Sequence, residues 1–509
     1  MSSELLRETA TWRRLEWHVA ELGGFHLREA FESDPTRGVR LAAEAAGVYL
    51  DYSKNLVTDD TLQLLRRLAS DRGLESRIRG LFRGGRDTGE KELDRIVAFA
   101  RRARAGKWVG ATGARVRAVV VVGDDVGPQL AYEALRDRAD PEIAVRFVSS
   151  IDPVDLARAT AGLDLPNALF VVSTMRMHRE TLALAAAARD RLSAALGPGV
   201  EHHLVAVSDE PDGTAVALGI PREQVFPLEA GERLSSRSVA GLTTAIACGD
   251  RAVRELLDGF RAMDEHFARA PLGANLPAIA GLIAVWYRSF LEARTAAVVP
   301  YPAPLRLLPA HVQQLSLPSL GPRPPRNGDS VEGGTGPVVW GPTGAEARST
   351  VLSFVHGSAA LVPVDLVAVA RSPEDEARAQ HDLLFAGLIA QAQLLARGVS
   401  AEELEAAGVP EEEIPHRVLH GNHPTSVLLL RELSPATLGA LVALYEHSVF
   451  TQAAIWDLDP FDRPVPDRVE TLAAKVASEL SPGWRHELLH DSSTNALIER
   501  YRRLRDSGT

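Results

Sequence analysis

The chain has 509 residues, 45% of them hydrophobic and 24% charged, with a formal net charge of −11. At roughly 100–200 residues per domain this is material for two to four folded domains, too apolar for disorder, and the acidic surplus argues against a general nucleic-acid binder. The one cysteine, Cys248, excludes an internal disulfide framework and cysteine-based zinc; no apolar run reaches the roughly 18 residues of a membrane span, and the charged N-terminal stretch has no secretory apolar run, so a cytoplasmic protein is expected.

Residues 1–109 read as a helical N-terminal region. Apolar residues recur at three- and four-residue spacing around Leu5–Leu22, Leu41–Leu50 and Thr61–Leu81, without strand-like alternation. The pattern changes at Val116. Ala118–Val122, Ile143–Val148, Ala168–Val172 and Leu204–Val207 are short apolar runs separated by helix-like segments, and Val225–Leu228 is a weaker one. Such alternation predicts a parallel sheet covered on both faces, so residues 110–295 are read as a doubly wound domain. Residues 296–336 are read as a connection, because from Tyr301 onward they are crowded with Pro and Gly, which oppose long regular elements. A second block, 337–509, carries strands at Pro337–Trp340, Leu361–Ala368 and Ser426–Leu430, helices at Asp375–Arg397 and Ser434–Trp456, and further C-terminal helices. The expected fold class is α/β: two tandem doubly wound parallel-sheet αβα sandwiches behind a helical N-terminal region.

Two segments follow strands and open helices. The turn Gly123-Asp124-Asp125-Val126-Gly127-Pro128 could offer backbone N–H groups to an anion, but its carboxylates oppose one and it is not a GxGxxG fingerprint. The segment Ser173-Thr174-Met175-Arg176-Met177-His178-Arg179 has two readings. Its hydroxyls are helix caps, or the loop is a phosphate cradle with Arg176, His178 or Arg179 supplying charge. His202 and His203 sit at a strand start, where neighbours face opposite ways, which argues against a metal site. Cys248 is read as a small buried residue and His381 as a packing residue.

Several further segments are specific. Asp51–Asn55 reads DYSKN, Met263–Phe267 reads MDEHF, and Trp286-Tyr287 follow. Thr335–Gly341 reads TGPVVWG, Gly421–Thr425 reads GNHPT, Gly439–His447 reads GALVALYEH, Ile455–Asp457 reads IWD with Phe461-Asp462 after it, and His490–Asn495 reads HDSSTN. In this order along almost the whole chain, these motifs resemble those of the glucose-6-phosphate isomerase family. The resemblance implies two sugar-isomerase (SIS-type) sandwiches in a homodimer. It also implies interconversion of glucose 6-phosphate and fructose 6-phosphate, a step of glycolysis and gluconeogenesis, with neither metal nor cofactor. In the family a His and a Lys assist ring opening, a Glu moves a proton between C1 and C2, and an Arg stabilises the developing oxyanion.

Carried over position by position, that machinery is altered. The family's QxxxES segment matches Gln314 to Ser319 and puts Pro318 at the Glu. The residue after GTNGQ, the family's His, is Ser349, and the Lys that ends FDQWGVELGK is Glu470. No catalytic residue is retained. In the phosphate loop SKTFTT, Ser173 matches while Thr174, Arg176 and His178 stand at other loop positions. Arg233 matches the Arg of GGRYS, and Asp124 replaces the Ser of GGSDLGP. The substrate-binding candidates are thus Ser173, Thr174, Arg176, His178, Arg233 and Gln314. The family's NTTExRAVLH segment has no counterpart in Leu81–Gly110. The expectation is a non-catalytic member that binds a sugar phosphate or serves a partner. Because some family members are fused to transaldolase, a sugar-phosphate-pathway enzyme is a candidate partner. The alternative is an active aldose–ketose isomerase with a rebuilt site drawing on Arg176, His178, Arg233 and Glu470.

Overall fold

The computed structural model describes residues 6–83, 87–108, 110–111, 113–174, 177, 179–227, 237–321, 334–349, 351–358, 360–372, 377–461, 466–481, 483–484 and 486–506. The chain divides into two units, Met1–Phe461 and Asp462–Thr509. In the N-terminal part, helices Ala10–Glu21, Asp59–Asp71 and Leu74–Leu81 form where the periodicity places them. Thr58 and Thr61 start Asp59–Asp71 with a reciprocal capping box. Leu41–Leu50, however, is not helical. It folds as an antiparallel hairpin of β1 (Ala42–Ala45) and β2 (Val48–Lys54), with Ala42 opposite Asp51. Ala46 and Gly47 take φ of 50° and 77°, the two left-handed residues of a two-residue hairpin turn. An alanine in the first of these positions hides the turn from a reading that looks for Asn or Gly. Val48, Leu50 and Tyr52 then alternate into the core.

The first sheet follows expectation. It contains β3 (Ala118–Val122), β4 (Ala144–Val148), β5 (Ala168–Thr174), β6 (Leu204–Ser208) and β7 (Val225–Pro227), all parallel, in the order β4-β3-β5-β6-β7. Every residue of β3, β5 and β6 is buried, which is why these strands read as unbroken apolar runs. Val119, Val121 and Val171 face a cluster with Leu242 and Ile246 of the helix Arg237–Cys248. Val120, Val122 and Phe170 face Leu184, Ala188 and Leu192 of the helix Arg179–Leu196.

The second sheet contains β8 (Thr295–Pro300), β9 (Val338–Trp340), β10 (Val364–Arg371) and β11 (Thr425–Glu432). Its order is β1-β2-β11-β10-β8-β9. The last four strands are parallel, and β2 pairs antiparallel with β11. The sheet is thus mixed where a wholly parallel one was expected, because the N-terminal hairpin supplies its antiparallel edge. The Pro/Gly-rich connection is also more ordered than expected: Leu308–Leu320 is a 13-residue helix. Pro309 lies in its first turn, where a missing N–H costs nothing, and Leu308, Val312, Leu315 and Ser319 are buried at helical spacing.

The core of the larger unit is the helix Pro435–Trp456, apolar around its whole circumference and buried along its length. It crosses the helix Asp250–Arg269 at two reciprocal glycines. A Cβ on Gly259 would overlap the carbonyl of Ala436, and one on Gly439 would overlap the carbonyl of Leu256. Within the smaller unit, His490 Nε2 meets the buried Glu479 carboxylate at 2.7 Å.

Candidate functional site

In a doubly wound sheet the crevice for a ligand lies beyond the carboxyl ends of the strands, where the strand order reverses. In the first sheet that place is between β3 and β5. It is formed by the turn Gly123–Val126 and by Ser173 and Thr174. Turn and strand end pack closely: a Cβ on Gly123 would stand 2.7 Å from the Ser173 carbonyl oxygen. Asp125 caps the helix Val126–Ala134, its carboxylate accepting from Gly127 N–H at 2.9 Å. Asp124 is exposed. Ser173 and Thr174 are both buried, and Thr174 Oγ1 has no hydrogen-bond partner among the described residues. A buried hydroxyl without a partner costs about 1–3 kcal/mol, and the positive end of the 18-residue helix Arg179–Leu196 follows it closely in the chain.

The third wall comes from the helix Leu308–Leu320. Gln314 Nε2 donates to the main-chain carbonyl of Asp124 at 2.8 Å, and Gln314 Oε1 accepts from Val126 N–H at 3.0 Å. Gln314 therefore reaches the switch point, but the backbone of the turn takes up its amide. One helical turn later stands Pro318, half-buried, with no N–H to return to the Gln314 carbonyl. No Asp or Glu occurs between Tyr301 and Asp329, so this helix carries no carboxylate in any register.

The same helix carries a titratable residue that the sequence reading passed over. His311 is 5% exposed, neither ring nitrogen has a partner among the described residues, and burial pushes its pKa down to about 4. Had the 308–312–315–319 apolar spacing been read as a helix through its prolines, His311 would have fallen one turn before Gln314.

In the second sheet the order reverses between β8 and β10. The helix Gly344–Ser349 begins there against Tyr301, the residue after β8: a Cβ on Gly344 would overlap the Tyr301 ring. Ser349 ends that short helix, and its side chain lies outside the described residues, as do Arg176, His178 and Arg233. Glu470 lies on the helix Pro466–Glu479 of the smaller unit.

Other candidates resolve into structural roles. His203 is buried with both nitrogens used, Nδ1 at 2.9 Å from the Ala168 carbonyl and Nε2 accepting from Ala111 N–H at 2.9 Å. The Cys248 thiol donates to the Leu135 carbonyl, and burial pushes its pKa up to about 11, the state of an inert thiol. Among the described residues no three His, Cys, Asp or Glu side chains gather as a metal site.

Comparison with known proteins places these features. Residues 87–498 match the family model "Phosphoglucose isomerase". The chain belongs to the phosphoglucose isomerase family. It is 45% identical over 536 residues to a glucose-6-phosphate isomerase of Anaeromyxobacter dehalogenans, covering 98% of this chain and 97% of that relative. It is 43% identical over 545 residues to one of Deinococcus deserti, covering 99% and 100%. In fold it is similar to the crystal structure of a glucose-6-phosphate isomerase from Chlamydia trachomatis, with a TM-score of 0.81 at 22% identity over 98% of this chain and 100% of that one.

The phosphoglucose isomerase motifs that this chain keeps tie its elements together. Asn55 of DYSKN donates to the Thr425 carbonyl and to Ser426 Oγ, and its side-chain oxygen accepts from the Tyr287 hydroxyl at 3.0 Å. Trp286 Nε1 donates to the Leu56 carbonyl at 2.9 Å. His447 of YEH meets Asp264 of MDEHF at 2.7 Å and stacks on Phe267 at 4.4 Å. Each of these contacts fastens one segment to another distant in sequence, which is a requirement of the fold whatever the chemistry.

Proposed function

We propose that this chain binds a sugar phosphate at the β3/β5 switch point and does not isomerise it at the rate of its relatives. The observation that carries this reading is the helix Leu308–Leu320, which has Pro318 one turn after Gln314 and no carboxylate anywhere. Moving a proton between C1 and C2 requires a base within reach of both carbons. Proline offers no such group, a serine hydroxyl at Ser349 is far too weak an acid to shuttle protons near neutrality, and Glu470 reverses the charge of a lysine. Each acid–base group contributes roughly 10²–10⁴-fold, so losing three brings turnover close to background.

Ligand binding is supported by different residues. Thr174 presents a buried hydroxyl without a partner among the described residues, the helix Arg179–Leu196 begins five residues after it, and Arg233 keeps its family position in the sequence. Homodimer formation, a cytoplasmic location and a sugar-phosphate-pathway enzyme as partner belong to the same reading and rest on family membership.

A second reading, an active aldose–ketose isomerase with a rebuilt site, is favoured by the near full-length identity to proteins named glucose-6-phosphate isomerase. Arg176, His178, Arg233 and Glu470 are its available groups. Coupled-assay turnover of fructose 6-phosphate, with calorimetric titration of the same ligand, separates the two. Binding without turnover supports the proposal. Turnover within tenfold of an ordinary enzyme, about 10–10³ s⁻¹, selects the second reading, and absence of both removes the sugar-phosphate site.

A further inference from the structure

The turn after β3 is fixed on two sides through its main chain. Gly123 N–H donates to the Val148 carbonyl at the end of β4 at 3.0 Å, and Gln314 holds the carbonyl of Asp124 and the N–H of Val126. Across the sheet, Val122 pairs with Val172 and Gly123 packs against Ser173. Asp124 and Thr174 each follow that contact by one residue. Neighbouring strands stand about 4.8 Å apart, so Asp124 belongs to the rim of the crevice that contains the buried Thr174 hydroxyl.

A helix start ordinarily offers backbone N–H groups to an anion. The start of Val126–Ala134 does not. The N–H of Val126 is taken by Gln314 Oε1, that of Gly127 by the Asp125 carboxylate, and Pro128 has none. Asp125 is engaged as the cap, which leaves Asp124, exposed and with no side chain paired to it among the described residues. A carboxylate accepts hydrogen bonds and donates none. The β3 side of the crevice therefore offers an acceptor and a negative charge. The groups suited to an anion, Thr174 and the start of the helix Arg179–Leu196, belong to the β5 side.

We infer that Asp124 is a specificity-determining residue of this crevice, selecting sugar monophosphates against ligands that carry a second anionic group. The inference rests on the sugar-phosphate reading above and adds which sugar phosphates fit. Hydroxyls laid across the β3 turn can donate to the carboxylate. A second phosphate there meets like charge, and the helix amides that would offset it are already used. Two unit charges about 5 Å apart at a protein surface interact strongly enough to change affinity by about tenfold or more.

The test is calorimetric titration of the full chain with fructose 6-phosphate and with fructose 1,6-bisphosphate at equal ionic strength, in the wild type, Asp124→Asn and Asp124→Ser. The turn is held through main-chain atoms, so both variants keep its contacts. The wild type is expected to bind the monophosphate about tenfold or more tightly than the bisphosphate, and each variant to narrow that ratio by about fivefold or more, chiefly through tighter binding of the bisphosphate. Added salt should narrow the ratio more in the wild type than in the variants, a dependence that a purely structural role for Asp124 does not produce. Equal binding of the two ligands by the wild type, or a ratio unchanged in both variants, overturns the inference and leaves the sugar-phosphate site in place. Binding of neither ligand by any of the three proteins removes that site, and the inference with it.

Discussion

Gln314 holds the main-chain carbonyl of Asp124 at 2.8 Å while the same side chain accepts from Val126 two residues later. A side-chain amide here replaces a piece of backbone, clasping the turn after β3 to a helix almost two hundred residues downstream. Gln314→Leu removes both bonds and leaves a carbonyl and an N–H without their partners. The expected cost is about 1–3 kcal/mol in denaturant unfolding, with faster hydrogen exchange at Val126. Unchanged exchange at that amide would mean that the clasp does not persist in solution.

Pro318 offers a test that separates helix stability from chemistry. Alanine or glutamate at this position restores the N–H to the ladder, and either should stabilise the chain by about 1–3 kcal/mol. Only Pro318→Glu adds a carboxylate. If the helix is where the missing base belongs, fructose 6-phosphate turnover in Pro318→Glu should exceed that of Pro318→Ala by at least tenfold. Equal turnover in the two would place the chemistry elsewhere.

His311 makes stability depend on pH in a direction that can be worked out. Its pKa falls from 6.5 in the unfolded chain to about 4 in the folded one, so between these values the unfolded state binds the extra proton. The neutral ring's contribution is complete above pH 6.5 and is lost as pH falls toward 4, by up to about 3 kcal/mol. His311→Leu should flatten this limb of the stability profile. Thermal midpoints at pH 4.5 and 7.5 for the two proteins provide the measurement: an unchanged difference between the two pH values would show that His311 is not buried in its neutral form.

The crossing of Asp250–Arg269 with Pro435–Trp456 predicts a sharp contrast between two glycines. Gly259→Ala pushes a methyl group into the Ala436 carbonyl and should cost about 3 kcal/mol or more. Gly80→Ala, in the helix Leu74–Leu81, meets nothing within 4 Å and should be neutral or stabilising by up to about 1 kcal/mol. Chemical unfolding of both variants checks the pair.

Much of this fold was legible in the chain. The first sheet was, because residues buried on both faces leave unbroken apolar runs such as Ala118–Val122. The hairpin was not, because Ala46 occupies a backbone conformation that alanine rarely takes and the flanking Ala-rich segment also fits a helix. The helix Leu308–Leu320 was obscured because proline reads as a breaker, although Pro309 lies where a helix tolerates it and Pro318 lies near the end. At the site, matching motifs located Gln314 and Pro318. They could not reveal that the Gln314 amide is already engaged, since its partners are main-chain atoms that carry no residue identity. His311 was invisible for a related reason: what makes it notable is that neither ring nitrogen has a partner among the described residues, and sequence does not record absences.

The pairing of β2 with β11 joins Lys54 to Thr425, and this has a consequence for how the protein is made. On the ribosome the hairpin emerges early and must wait for a strand that is synthesised more than three hundred residues later. Meanwhile β3 to β7 are complete by Pro227 and can close into their own sheet. The second sheet, with its higher sequence separation, is the slow step. Until it forms, Val48, Leu50 and Tyr52 lack their burial, so the nascent chain exposes an apolar edge of the kind that chaperones cover. Termination anywhere before β11 would strand that edge permanently.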